Sequence, residues 1–287
     1  MREFCNYHPT VLFLYFLSVI LITCINLNPI TVLIAFFLAF TYNAMLKGRD
    51  TLLKNLFVMP VMFLSMALIN PAFNHRGVTI LTYLPSGNPL TMESILFGLI
   101  ASGMVLSVIL FFSCFNEVIT SDKIIYIFGR ISPSMSLIFS MTLRAVPKFI
   151  RQFKEALKMQ KITGKGQKNR LKSGISAMSS VLTWILEDAI ETADSMKSRG
   201  YGLSGRTAYS IYSFTKRDKK AIIFLTVSLL YVVLGTSLGT LAFTCFPSIK
   251  FAEISPYSVS VLFAEFLLMS MPIVIEVTEY MKWKCIR

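Results

Sequence analysis

Four carboxylates, Glu187, Asp188, Glu191 and Asp194, fall within one short stretch and are the densest set of groups able to hold a metal ion or exchange protons. The usual requirement for such chemistry is a compact carboxylate cluster at the interface facing a cavity, and these four qualify by count. The only histidines are His8 and His75, too few for a histidine-based metal or acid–base cluster. Cys5, Cys24, Cys114, Cys245 and Cys285 are odd in number and widely spaced, so neither a disulfide framework nor a metal pattern emerges. No P-loop, dinucleotide fingerprint or metalloprotease motif occurs, and the expectation is a chain without catalytic residues, cofactor or metal. The residue best placed for strong chemistry is a cation, Arg199, in the run Ser198-Arg199-Gly200-Tyr201-Gly202. A guanidinium at a helix tip that reaches a carboxylate in a partly dry groove makes a charge-assisted bond stronger than a surface ion pair.

The element that must position Arg199 is an amphipathic helix expected from about Ile175 to Ser198. Ile175, Met178, Leu182, Ile185, Ala189, Ala193 and Met196 recur every three or four residues as one apolar stripe, with the four acids on other faces. Gly200 stands where a left-handed residue stops a helix, Lys197 and Arg199 suit its carbonyl end, and Gly202 and Gly205 keep it from resuming. Ahead of it, Pro147 reads as a first-turn residue of a cationic helix: Phe149, Ile150, Phe153 and Leu157 alternate with Lys148, Arg151, Lys154, Lys158 and Lys161. One face of that helix suits anionic lipid. A basic loop from Gly164 through Lys165 to Arg170 ends it. The stretch from Ser132 to Pro147, too short and serine-rich to span comfortably, suits an interfacial helix.

These helices sit in a membrane protein. Hydrophobic residues are 54% of 287 positions and mean hydropathy is +0.64, which excludes an ordinary soluble domain. The uncharged runs are Pro9–Leu46, broken into a hairpin at Asn26, Asn28 and Pro29, then Asn55–Phe73, Ser94–Phe115 and Ala221–Phe246. With Ile254–Val277, which carries Glu265 and Glu276, the expectation is about six spans. Arg144–Lys220 holds 17 of the 28 basic residues against 6 acids, an excess of 11 positive charges in a chain whose net charge is +13. That segment, the loop with Lys47, Arg49 and Lys54, and the end with Lys282, Lys284 and Arg287 all fall on one side of a six-span layout. The Lys/Arg bias makes that side cytoplasmic, with both termini. The chain therefore divides into residues 1–130 with about four spans, a cytoplasmic or interfacial part 131–220, and residues 221–287 with about two spans. Positive-inside bias already accounts for the basic segment, so nucleic acid is not an expected partner.

Smaller signals complete the picture. Residues after Met1-Arg2-Glu3 read as structure, because the uncharged run is too long for a cleaved leader and has no evident cleavage site. Asn74–Thr91 reads as an extracytoplasmic loop with a β-like run from Val78 to Leu84; its His75 and Arg76 could meet a ligand, but a plain connecting loop is the better reading. Gly235-x-x-x-Gly239, and more weakly Gly98 with Ser102, permit close helix approach, either within the chain or to a partner. Glu265, near the middle of the last span, is costly unless it faces protein or water, and a satisfied polar contact is favoured over an ion pathway.

The stretch ending Leu143-Arg144-Ala145-Val146-Pro147, the cationic helix after it, and the run Glu191-Thr192-Ala193-Asp194-Ser195-Met196-Lys197-Ser198-Arg199-Gly200-Tyr201-Gly202 followed by Gly205-Arg206-Thr207 resemble the transmembrane T component of energy-coupling factor importers. The six-span layout agrees, and the specific part of the likeness is residues 133–207. The resemblance implies an all-α polytopic subunit in a bacterial-type cell membrane that joins two ATP-binding cassette ATPase subunits to a small substrate-binding membrane subunit, for uptake of a vitamin or transition-metal ion. It implies that two cytoplasmic helices each end in an arginine motif that docks on an ATPase. Ser198-Arg199-Gly200, with Tyr201, matches the second motif. The first falls near Gln160–Gly164, where Thr163 occupies the arginine position; either Lys161 or Lys165 supplies the charge there or that ATPase contact is mainly apolar. The stripe Ile175, Met178, Leu182, Ile185, Ala189 and Ala193 then carries motion to the substrate-binding subunit. Two other classes compete: a membrane-embedded enzyme acting on lipid or prenyl substrates through Glu117, Asp122, Glu187, Asp188 and Glu191, and a secondary transporter, for which Glu265 is the only intramembrane support.

Overall fold

The local sequence signals are realised helix by helix. The computed structural model describes residues 3–74, 77–83, 89–162, 170–203, 212–246, 248–251 and 255–286. After a short 3-10 turn at Phe4–Asn6, the elements are α1 (Pro9–Ile25), α2 (Pro29–Phe73), β1 (Ile80–Tyr83), β2 (Pro89–Thr91), α3 (Met92–Val118), α4 (Ser121–Ile131), α5 (Pro133–Ile162), α6 (Arg170–Ser198), α7 (Lys216–Ser237), β3 (Phe243–Thr244), β4 (Lys250–Phe251) and α8 (Pro256–Ile286). The architecture is all-α apart from two small antiparallel hairpins, β1 with β2 and β3 with β4. Among the described residues, four helical segments are long and apolar enough to cross a membrane: Pro29–Gly48, Met92–Val118, Lys216–Ser237 and Pro256–Lys284. Two shorter apolar helices, Pro9–Ile25 and Met59–Phe73, accompany them.

The break expected at Asn26–Pro29 falls between α1 and α2. Asn28 caps α2 by accepting from the Ile30 N–H at 3.0 Å, and Pro29 takes the first helical position, where its missing N–H costs nothing. Within α2, Gly48 departs from helical geometry at φ 70°, which kinks the helix between its two apolar halves. The β-like run of the following loop becomes β1, with Ile80 opposite Thr91 and Tyr83 opposite Pro89. Glu93, in the first turn of α3, ties that hairpin down by accepting from the Thr79 hydroxyl at 2.7 Å and the Thr79 N–H at 3.2 Å.

The chain packs as two compact units, Met1–Thr120 with Tyr212–Arg287, and Ser121–Ile211. In the first, Phe4, Tyr15, Phe16, Tyr42, Phe111, Leu268 and Met269 are buried together in one core from helices distant in sequence. Tyr15 Oη donates to the Met269 carbonyl at 2.9 Å, so α1 and α8 are joined by a buried hydrogen bond as well as by packing. Asp218 accepts from the backbone N–H of His8 at 3.0 Å and from the Thr215 hydroxyl at 2.6 Å, which fastens the first turn of α7 to the amino-terminal segment. The Gly-x-x-x-Gly pair divides its labour. A Cβ on Gly235 would lie 2.5 Å from Val261, so this glycine is required for α7 to approach α8. Gly239 instead has φ 75° and ends α7, its N–H donating to Thr236 and the next N–H to Gly235. At Gly98 the close neighbour is the backbone of Ala67 in α2, so that small-residue signal also serves internal packing.

In the second unit two boundaries differ from the sequence reading. Pro147 does not begin a helix: α5 runs unbroken from Pro133 to Ile162 with Pro147 inside it, and Pro133 takes the starting position. The expected interfacial stretch and the cationic stretch are therefore one helix, in which proline forfeits a single backbone bond. Helix α6 begins at Arg170 rather than near Ile175, because Gly174 is tolerated in its interior.

Candidate functional site

The tip of α6 is built from its own backbone. The Gly200 N–H donates to the Lys197 carbonyl and the Tyr201 N–H to the Met196 carbonyl, both at 3.0 Å, with Gly200 at φ 77°. This paired arrangement is the Schellman ending, and only a residue free of a Cβ enters its left-handed position without strain. Arg199 is the last residue before the reversal; its N–H still donates to Ser195 at 3.3 Å, and its side chain is exposed. Ser198 turns its hydroxyl back onto the Ser195 carbonyl at 2.9 Å, which makes it a helix-end residue rather than a free donor. Tyr201 is exposed beside the tip. A cation on a fully bonded helix end has few backbone conformations to lose on binding.

Helices α5 and α6 form an antiparallel hairpin. Lys148 meets Asp188, Phe149 meets Trp184, and Ile150 and Phe153 share a groove with Met178 and Leu182, so residues later in α5 face residues earlier in α6. The face of α6 that packs inward carries Ala177, fully buried, and Val181. The stripe read from the sequence lies beside that face. Ile185 and Ala193 are half-buried, Ala189 is exposed, and Ile175, Met178 and Leu182 are 71%, 55% and 50% exposed. Leu186 and Ile190, which the sequence reading passed over, continue the exposed row one turn at a time. The groove between this row and α5 has a volume of about 300 Å³ and is walled by Phe149, Ile150, Phe153, Met178, Leu182 and Ile185.

Sequence reasoning missed the clasp that sets the two helices. Lys148 Nζ lies 2.5 Å from Asp188 Oδ1 and 4.9 Å from the centre of the Trp184 ring, and Phe149 meets the same indole edge-on at 6.1 Å. Two opposite charges roughly equidistant from the connecting loop were the available signal. The clasp takes Asp188 out of the group of acids, while Glu187, Glu191 and Asp194 point to solvent. Among the described residues no three His, Cys, Asp or Glu side chains come together as a metal site. Lys161 falls in the last turn of α5, with its side chain outside the described residues, and Thr163, Lys165, His75, Arg76 and Arg206 lie outside them as well.

In the first unit, the favoured reading of Glu265 as a satisfied contact does not hold. The residue is fully buried, and neither carboxyl oxygen has a hydrogen-bond partner. Burial in the β3–β4 turn pushes the Cys245 thiol above its ordinary range, so it is a poor nucleophile at neutral pH. The chain matches no known protein family and no curated protein.

Proposed function

We propose that this chain is the transmembrane scaffold of an energy-coupling factor importer, non-catalytic itself, which passes the motion of two separate ATPase subunits to a small substrate-binding membrane subunit. The observation that carries this reading is the α5–α6 hairpin, whose large apolar residues line up on an outer face while the fully bonded tip of α6 presents Arg199. Hydrocarbon is a poor cover for that face, because the same helices carry Lys148, Arg151, Lys154, Lys158, Glu187, Glu191 and Asp194. A protein partner with an apolar strip is the chemically consistent occupant.

The ends of the hairpin suit two motors. In an antiparallel pair, the carboxyl ends of α5 and α6 lie at opposite extremes, about 45 Å apart for helices of about 30 residues at 1.5 Å per residue. Each end can then engage its own ATPase: Arg199 with Tyr201 at one, and the Lys161–Lys165 segment at the other. When ATP draws two such subunits together, a rigid hairpin held at both extremes must tilt or rotate, and the row from Ile175 to Ile190 moves with it. In this reading α1 and Met59–Phe73 join the four longer segments as six spans of a cell membrane, and the basic segment faces the cytoplasm. The cargo is a vitamin or transition-metal ion, bound by the partner.

Purification in mild detergent followed by mass spectrometry of the co-purifying chains tests the assignment. Two nucleotide-hydrolysing subunits and a small hydrophobic protein are expected. Cargo movement or chemistry by the isolated chain overturns it.

A further inference from the structure

Glu265 is in the third turn of α8, in the first unit, with 0% of its surface exposed and both carboxyl oxygens unbonded. The group facing it is the side-chain amide of Asn26, itself 6% exposed, whose Nδ2 also lacks a partner. Asn26 is close enough to act on the carboxyl as a hydrogen-bond donor, yet the pair does not meet full hydrogen-bond geometry. No charged side chain among the described residues acts on the carboxyl. Its neighbourhood is also unfavourable to negative charge from the backbone. Asn26 closes the carboxyl end of α1, donating its N–H to Ile22, and that end of a helix carries partial negative charge. A bare carboxylate here would be desolvated, unpaired and set against a like-signed dipole end, and interiors do not hold such a group. Neutrality here needs one positive charge that the described residues do not supply. A metal cation demands several oxygen ligands, and among the described residues no three His, Cys, Asp or Glu side chains come together to supply them; a proton demands one.

We propose that Glu265 and Asn26 form a single-proton site in the membrane unit, in which a proton taken from solvent occupies one carboxyl oxygen of Glu265 and the other oxygen accepts from Asn26 Nδ2. The contrast with Glu93 supports the assignment. That carboxyl is also buried, but Thr79 donates to it from both hydroxyl and N–H, so it is satisfied as an anion. The proposal does not rest on the transporter reading, and its test uses no partner.

The test is infrared spectroscopy of the full chain in lipid nanodiscs at neutral pH, as difference spectra between wild type and Glu265→Gln in water and in deuterium oxide. The expected result is a protonated-carboxyl carbonyl band in wild type that shifts in deuterium oxide and is lost in Glu265→Gln, whose melting temperature stays that of wild type because the amide is isosteric. In Asn26→Leu the band persists and moves to higher frequency, having lost its donor; this variant reads the same site should Glu265→Gln fail to accumulate. A band that is absent, or unchanged in both variants, overturns the proposal. So does stabilisation of the wild type by sodium over potassium at equal ionic strength that disappears in Glu265→Gln, which would assign the site to a metal cation.

Discussion

The two units expose apolar side chains to comparable degrees for opposite reasons. In the first, Leu14, Leu33, Phe37 and Phe263 point outward from helices whose other faces close on one core, and the outer ring is what a bilayer covers. In the second, the only apolar residues buried among those described are Ala177 and Val181, and the exposed row Ile175, Met178, Leu182, Leu186 and Ile190 shares its helix with acids. Exposure alone therefore does not tell the two surfaces apart; the charges that share the helix in the second unit do. On the proposed reading lipid surrounds the first unit and a protein covers the second.

Substitutions that strike one unit and spare the other test this contrast. The largest effect is expected from Arg199→Glu. Loss of a desolvated charge-assisted bond costs about 2–5 kcal/mol, at least about 30-fold in ATPase affinity. Uptake and co-purification fall away while the melting temperature of the chain is unchanged, since Arg199 is exposed. Uptake and assembly that survive the charge reversal would remove Arg199 from the mechanism. Next is the opposite pattern: Gly235→Leu forces side chain into Val261 and lowers stability by about 1–3 kcal/mol, read by thermal melting, while the folded fraction keeps its partners. Leu182→Asp should weaken capture of the substrate-binding subunit about tenfold, a loss of about 1.4 kcal/mol, yet shift chain stability by no more than about 0.5 kcal/mol. A melting temperature that drops sharply instead would mean the row is core, and the contrast would fail. Smallest is Lys148→Met, which breaks the clasp to Asp188 and Trp184. Both charged side chains are partly exposed, so about 0.5–1 kcal/mol of hairpin stability is expected to go, measured as faster hydrogen exchange along α5 and α6.

Much of this was legible before any coordinates. The turn at Asn26–Pro29, the stop at Gly200 and the short strand at Ile80–Tyr83 depend on neighbours a few residues away, and local chemistry decides them. Pro147 misled because first-turn preference is a statistical tendency, and a helix already running from Pro133 continues through a proline at the loss of one bond. The amphipathic row on α6 was visible at the right period but not its role. Periodicity locates an apolar face; which of two adjacent faces meets α5 depended on how Trp184 and Asp188 engage Phe149 and Lys148. Gly235 and Gly239 looked like one motif and do two jobs, because a Val261 neighbour is invisible in the spacing of glycines.

The sequence by itself determined the membrane character of the apolar helices, the helical class, and the place and charge of the rigid tip at Arg199, since all three follow from composition and short-range backbone preference. Tertiary structure alone decided that Glu265 is sealed against Asn26, that Lys148 reaches Asp188, and that the row from Ile175 to Ile190 stays uncovered. Those facts depend on contacts between residues far apart in the sequence, and no local preference encodes which distant side chain arrives.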